Sequence, residues 1–410
     1  MRLAWPKRAP AYVASDAEPA SDTFIGHLAP APADPIGDAI ARAHAARAAI
    51  RELDGQLPDQ PLAVTVQRAP AGAIAAASEL DVAAFAIGNR CVRARLAPSI
   101  EQEHELARAL ARVAAGEPAP VEEPLASPFV TVALGDEPAE TARHAHRRGW
   151  RGSRGPWLGL SRAGSVALVS TCHMIVDGYG HAWLAARIAE HARRLAPRAP
   201  GAALRALPRL APVAGARPLA VAWQPVGAGP RALPLAYALG RLLHQLEGRC
   251  PPFQIPVAPG ALTDPARRLR RVIPAVVTVR FEAGVPEPYP AFAARVGDAL
   301  AREAAGAGLI SFLLAAARGA PAPLSWKRRA VAADRPRWLD RVADLLGGRA
   351  CVSRIRIDEP APPACAVSSP PSHDGWVVTV VDDGRSAGIT LCGAGASEDL
   401  LHRLLTLLPG

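Results

Sequence analysis

The amino-acid sequence predicts an α/β protein made of two similar domains. The chain has 410 residues, more than one ordinary hydrophobic core organises. Strand-like and helix-like apolar patterns alternate along it. Residues 157–173 and 376–393 repeat one pattern, in which a Trp, two strands joined by a turn and a Cys precede a loop and a helix. A diverged duplication produces such a repeat, and it predicts two-layer α/β sandwiches in a pseudo-twofold arrangement.

Helices are predicted where apolar residues recur every three to four positions, and strands where they alternate or form a short run. In the first half these are a helix at 36–53, a strand at 61–67, a helix at 100–116, a strand at 128–134, a polar helix at 138–148, a hairpin of 157–160 with 165–170, and a helix carrying Leu184, Ile188 and Leu195 on one face. In the second half they are strands at 272–281 and 351–357, a helix at 292–307, a hairpin of 376–381 with 387–393, and a closing helix at 397–408 with Ser397 as its N-cap.

The Pro- and Gly-rich residues 196–234 interrupt these patterns and predict an interdomain connection without regular structure. The expected organisation is therefore an N-terminal extension (1–35), a first domain (36–196), a linker (197–234) and a second domain (235–410).

The composition indicates which classes of partner the protein is expected to bind. The net charge is +10 and aromatic residues make up 5%. Because the Arg residues are scattered and stacking aromatics are few, nucleic-acid binding is not expected. A positive surface steers anionic partners such as CoA or an acidic carrier protein, although the basic clusters at 267–271 and 327–329 are interpreted first as solvated surface. The sequence shows no signal peptide or membrane span, and its six dispersed cysteines predict reduced thiols and a cytoplasmic location.

One polar cluster stands between a predicted strand and a predicted helix, in the stretch "STCHMIVDGYG" at 170–180. A neutral imidazole at His173 can accept a proton at neutral pH and return it later. Asp177 can orient that ring or fix the loop, and Gly178 allows close approach of backbone. The second copy of the repeat has Gly393 after Cys392 and no matching His and Asp. A turn needed only for folding would be expected in both copies, which favours a functional role in the first.

Three other interpretations of this cluster stay open. His173, Asp177 and His181 are spaced four apart and could ligate a metal ion, although Gly178 interrupts a helix there. Cys172 could be a nucleophile, although adjacent strand residues point to opposite faces. His173 could also be a buried histidine in a structural turn.

The segment "CHMIVDGYGHAWLAARIAEHARRL" (172–195), preceded by a strand, resembles the His-x-x-x-Asp-Gly motif of the chloramphenicol acetyltransferase-like superfamily. This superfamily includes CoA-dependent acyltransferases and peptide-synthetase condensation domains. The resemblance implies two domains with an active-site tunnel between them, and His173 as general base. It also implies that Asp177 pairs with an Arg for structural support, that Gly178 shapes the loop, and that a second-domain residue such as Ser353 donates to the oxyanion.

The predicted function is therefore transfer of an acyl group from a CoA or carrier-protein thioester to a hydroxyl or amine. The thioester, an acyl-CoA or acyl-phosphopantetheine, is a co-substrate, and no bound cofactor or metal is expected. A small-molecule acceptor and a carrier protein are the expected partners of a monomer. Many members of the superfamily carry a second His where this chain has Cys172, and the plant-type Asp-Phe-Gly-Trp-Gly motif is missing. These departures support the alternative of a degenerate condensation-like domain that binds a carrier without chemistry.

Overall fold

The computed structural model describes the chain in segments that contain its two sheets and the helices against them. These segments are 24–28, 32–56, 79–88, 90–118, 128–134, 158–163, 166–171, 178–201, 220–227, 231–257, 276–281, 284–304, 341, 349–356, 365–367, 375–382, 387–393 and 395–409. The chain divides into two compact units. The first comprises 13–216 and 359–364, and the second comprises 1–12, 217–358 and 365–410.

Six strands of the first unit are hydrogen-bonded in the order β1–β6–β5–β4–β2–β3. In chain order the elements are β1 (Phe24–Leu28), α1 (Pro35–Gln56), β2 (Glu79–Ile87), β3 (Arg90–Arg95), α2 (His104–Ala114), β4 (Pro128–Leu134), β5 (Leu158–Ala163), β6 (Val166–Thr171) and α3 (Gly178–Leu195). Strand β4 is parallel to β2 and β5, and the other neighbours are antiparallel. The sheet is therefore mixed, with the β5–β6 hairpin leading directly towards α3.

The second unit has its strands in the order β7–β13–β12–β10–β8–β9. Its elements are β7 (Ala220–Val226), α4 (Ala232–Glu247), β8 (Phe253–Pro256), β9 (Val276–Val279), α5 (Tyr289–Ala304), β10 (Ala350–Arg356), β11 (Cys365–Val367), β12 (Trp376–Asp382), β13 (Ala387–Gly393) and α6 (Glu398–Thr406). Strand β10 is parallel to β12 and β8, and the other neighbours are antiparallel.

The two units thus share one topology. Each has a strand and a helix, then two antiparallel strands and a second helix, then a parallel central strand, a hairpin and a last helix. The corresponding strands occupy the same places in the two sheets and run in the same senses. The predicted α/β fold class with two similar domains is confirmed. The predicted limits of the domains stay a prediction.

Several elements follow the sequence closely. Ser397 is the N-cap of helix α6, and its Oγ accepts a hydrogen bond from the Leu400 amide at 3.2 Å. Glu398 and Asp399 occupy the first turn of α6, where their negative charge interacts favourably with the positive end of the helix dipole. The apolar faces of α4, α5 and α6 share one hydrophobic cluster with the sheet of the second unit. None of the helices in the described segments is long and apolar enough to cross a membrane.

The prediction that residues 196–234 lack regular structure is wrong, because β7 and the start of α4 lie there. Strand β7 contains Pro225, which normally argues against a strand, but it is an edge strand paired with β13. An edge strand tolerates the missing amide of proline. Helix α4 contains Pro234 in its first turn, where the missing amide is also harmless.

Strand β2 and helix α4 were not predicted. Strand β2 buries consecutive residues from Val82 to Ile87, so its sequence does not alternate between apolar and polar. The predicted strand at 61–67 and polar helix at 138–148 lie outside the described residues.

Candidate functional site

The predicted motif lies at the junction of β6 and α3. Strand β6 ends at Thr171, and α3 begins at Gly178. His173 and Asp177 belong to the connecting residues 172–177, which lie outside the described residues, as does the alternative nucleophile Cys172. Their roles stay predictions. The structure does describe what holds the two ends of this connection.

The first turn of α3 is fastened to β6 by a buried side chain. His181 is 1% exposed, and its Nε2–H donates to the Val169 carbonyl at 2.8 Å. Val169 lies inside the sheet, in register with Leu160 of β5 and Ile25 of β1. Because a carbonyl only accepts, this contact fixes the tautomer in which Nε2 carries a hydrogen. A hydrogen bond from helix to strand therefore joins the two ends of the predicted loop.

This hydrogen bond also bears on the metal interpretation of His173, Asp177 and His181. A ring nitrogen that donates to a carbonyl has no lone pair for a metal ion, so Nε2 of His181 is not a ligand in this arrangement. Within the described segments, no group of three or more His, Cys, Asp or Glu residues is placed to hold a metal ion.

The second half of α3 is fastened to α1. Arg187 Nε lies 3.3 Å from a Glu52 carboxylate oxygen, and His191 Nε2 lies 3.3 Å from the other. Arg187 also donates to Glu190 at 2.7 Å, and this contact lowers the pKa of the Glu190 carboxyl. Leu184 and Ile188, on the adjoining side of α3, are buried. Helix α3 is thus held at both ends, by β6 near the motif and by α1 farther along.

The strand register corrects the alignment of the two hairpins. Thr171 is paired with Leu158, and Cys392 is paired with Val377. Counted from Trp157 and Trp376, Leu158 corresponds to Val377. Thr171 rather than Cys172 therefore corresponds to Cys392.

The alignment of Cys172 with Cys392 in the repeat is therefore wrong by one position. The counterpart of Cys172 is Gly393. It has φ 153°, and a Cβ there would lie 2.4 Å from the Gly375 carbonyl oxygen. The second copy therefore requires glycine where the first has Cys172, and the counterpart of His173 is Ala394.

Ser353 lies in the middle of β10 in the second unit. It is half-buried and in register with Thr379 of β12. Its neighbour Val352 belongs to the cluster covered by the helices, and adjacent strand residues face opposite ways. Ser353 therefore faces away from the helices. Its role as an oxyanion donor stays a prediction.

Two buried polar networks in the first unit were not predicted. In one, Asp38 of α1 binds Arg42 at 2.8 Å and Arg162 of β5 at 3.5 Å, and burial lowers the pKa of Arg162. In the other, His44 Nε2 donates to Glu103 at 2.6 Å. Arg47 donates to His44 Nδ1 at 3.0 Å.

Both ring nitrogens of His44 are engaged, so His44 is not available as a general base. The spacing of Asp38 and Arg42 was the only sequence signal for these networks, because their other members are distant in the chain.

Comparison with solved structures finds similarity to several two-domain proteins at low identity. Polyketide synthase associated protein 5 from Mycobacterium tuberculosis is 12% identical, with 97% of this chain and 96% of that chain covered, at a TM-score of 0.46. The first condensation domain of the calcium-dependent antibiotic synthetase, in complex with a substrate analogue, is 14% identical, with 98% and 90% covered, at 0.41. The epimerization domain from the third module of tyrocidine synthetase B is 11% identical, with 94% and 90% covered, at 0.40.

The topology and register described above, rather than these matches, establish the α/β fold. No protein-family model matches the chain, and no curated protein matches it.

Proposed function

We propose that the protein is an acyltransferase that moves an acyl group from a CoA or carrier-protein thioester to a hydroxyl or amine, with His173 as general base. The observation that carries the proposal is the asymmetry of the repeat. Two units of the same topology each have a hairpin followed by a helix, but only the first has a His, an Asp and a Gly at that junction. The second unit forms the same hairpin and helix without a matching His and Asp.

The proposed reaction needs one base and one oxyanion donor. His173 accepts the proton of the acceptor O–H or N–H, and the freed lone pair attacks the thioester carbonyl. The tetrahedral intermediate carries negative charge on oxygen, which a hydroxyl such as that of Ser353 stabilises. The C–S bond then breaks, and the protonated His173 returns its proton to the leaving thiolate. Every proton and electron pair is accounted for without a metal or redox cofactor.

Asp177 and Gly178 have supporting roles in this proposal. Asp177 fixes the loop by pairing with an Arg. Gly178 follows Asp177 directly and is the first residue of α3. The rival function is a domain that binds a carrier protein without chemistry, and Cys172 in place of a first histidine is the residue that favours it.

The test is transfer measured by intact-mass spectrometry, with a panel of acyl-CoAs and acyl-carrier proteins and a set of hydroxyl and amine acceptors. We expect transfer by the native chain and a loss of at least about 100-fold in His173→Ala, the lower end for a missing general base. His402→Ala is the matched control, because His402 is exposed on α6 in the second unit; it should keep full activity.

Unchanged turnover in His173→Ala would overturn the mechanism. Carrier binding without transfer by the native chain, for every donor and acceptor, would support the rival function instead.

A further inference from the structure

His181 lies close in the chain to the predicted loop and is hydrogen-bonded across it. It lies in the first turn of α3, four residues after Asp177, and its partner Val169 lies in β6, four residues before His173. The hydrogen bond between them therefore joins two points of the chain that flank the connection carrying both predicted residues.

The burial of His181 excludes a direct chemical role. Its side chain is 1% exposed, so a substrate cannot reach it in this arrangement. Its Nε2 carries a hydrogen that is given to the Val169 carbonyl, so that nitrogen cannot accept a proton. A buried side chain of this kind acts by fixing the position of its neighbours.

The hydrogen bond adds to the pairing of the sheet. Val169 already pairs with strands on both sides, so the contact from His181 is an additional attachment of the start of α3 to β6. In the second unit, the start of the last helix α6 is held by the cap of Ser397.

We propose that His181 is a positioning residue that sets the orientation of His173 by fastening the start of α3 to β6. The proposal rests on the proposed function of His173. A small displacement of a catalytic base is enough to slow the chemical step, since general acid–base catalysis needs hydrogen-bond contact with the reacting group. Removal of the His181 contact should therefore act on kcat more than on KM.

The test compares three variants of the full chain. His181→Leu removes the donor. His181→Gln keeps an N–H donor near the position of Nε2, and should restore most of the activity. Ile188→Ala is the matched control, because Ile188 is fully buried two turns along the same helix and its loss weakens packing without touching Val169. We expect His181→Leu to lower kcat by about 10-fold or more with little change in KM, and Ile188→Ala to lower stability but not kcat.

A double-variant cycle separates positioning from simple destabilisation. In a His173→Ala background there is no base to orient, so His181→Leu should cost little further activity. A full additional loss in that background, or an equal loss of kcat in Ile188→Ala, would overturn the proposal.

Hydrogen–deuterium exchange gives a readout that does not depend on activity. His181→Leu should raise deuterium uptake across 172–180 relative to the native chain, and Ile188→Ala should raise it less there than along the rest of α3. If the native chain transfers nothing but uptake rises in this way, the proposed function fails and the fastening role of His181 stands. Unchanged uptake across 172–180 in His181→Leu would overturn that role.

Discussion

Gly240 shows how one missing side chain determines a helix contact. It lies inside α4, and a Cβ at this position would come within 2.3 Å of a Phe281 ring carbon. Phe281 is itself buried and stacked on Phe292, with ring centroids 5.0 Å apart, so it has little room to move. The absence of a side chain lets α4 approach the aromatic cluster of the second unit.

Gly240→Ala should therefore destabilise the protein, although alanine is the better helix former. Overpacking costs about 1–3 kcal/mol, against a gain of about 1 kcal/mol in helix propensity. Gly297→Ala in α5 is the matched control. Its Cβ would meet only Leu233, at an ordinary 3.9 Å, so this change should be neutral or stabilising. Chemical denaturation of both variants measures the difference, and a stabilised Gly240→Ala would show that Phe281 moves aside.

The alignment of Cys172 with Cys392 shows that the sequence alone could not establish which residues of the two hairpins correspond. The two hairpins match by eye from Trp to Cys, but their connections differ by two residues, since two residues separate β5 from β6 and four separate β12 from β13. Cross-strand pairing, and not chain distance, decides which residues correspond. Only the observed register identifies Thr171 and Gly393 as the counterparts.

At the scale of elements, α1 is joined to the turn before α2 by a buried network. Glu103 is 3% exposed, and it accepts from His44 at 2.6 Å and from the Ala97 amide at 2.8 Å. Arg47 donates to the carbonyls of Ala97 and Pro98, and burial lowers its pKa. Groups buried to this extent are stable only while each has its partner.

Glu103→Ala should be strongly destabilising, because it leaves His44 and the Ala97 amide without their acceptor. Removal of one partner from a buried pair costs about 3–5 kcal/mol. Glu105→Ala, two residues on, is the control, because Glu105 and its partner Arg108 are largely exposed and such pairs contribute little. Denaturant titration of the two variants checks this, and similar midpoints would show that the network adds no net stability.

Burial did not decide which elements were predicted, because α1, β4 and β13 are buried almost throughout and were predicted. Helix α6 was predicted with its cap, because its apolar residues recur on one face and Ser397 precedes them. Helix α4 was missed for another reason, because it begins inside the Pro- and Gly-rich residues 196–234, which were interpreted as an interdomain connection. The buried networks at Asp38 and Glu103 were not predicted, because most of their members are distant in the sequence and are brought together only by the fold.

At the scale of the whole molecule, the repeat was predictable and its chemistry only in part. One hairpin and its helix in each half predicted the duplication, which the common strand order of the two sheets extends to nearly every element. The motif at 173–178 drew attention to the β6–α3 junction. His181 was noticed only as a candidate ligand, because a hydrogen bond from a helix to a strand leaves no pattern in the sequence.

The net charge of +10 allows the two proposed donor types to be distinguished. A positive protein attracts an acidic carrier protein over distances of about 10 Å at 0.1 M salt, and this attraction accelerates encounter. We expect kcat/KM for a carrier-borne thioester to fall about 10-fold or more between 50 and 500 mM NaCl. The same acyl group on neutral pantetheine should show little change, because it has no charge to be steered.

The measurement is the salt dependence of transfer for the two donors with one acceptor. His173 and its loop are common to both reactions, so an effect of salt on the chemical step would lower both rates equally. A larger fall for the carrier therefore reports recognition through charge. Equal falls would contradict electrostatic steering of a carrier and would leave the small-molecule thioester as the better supported donor.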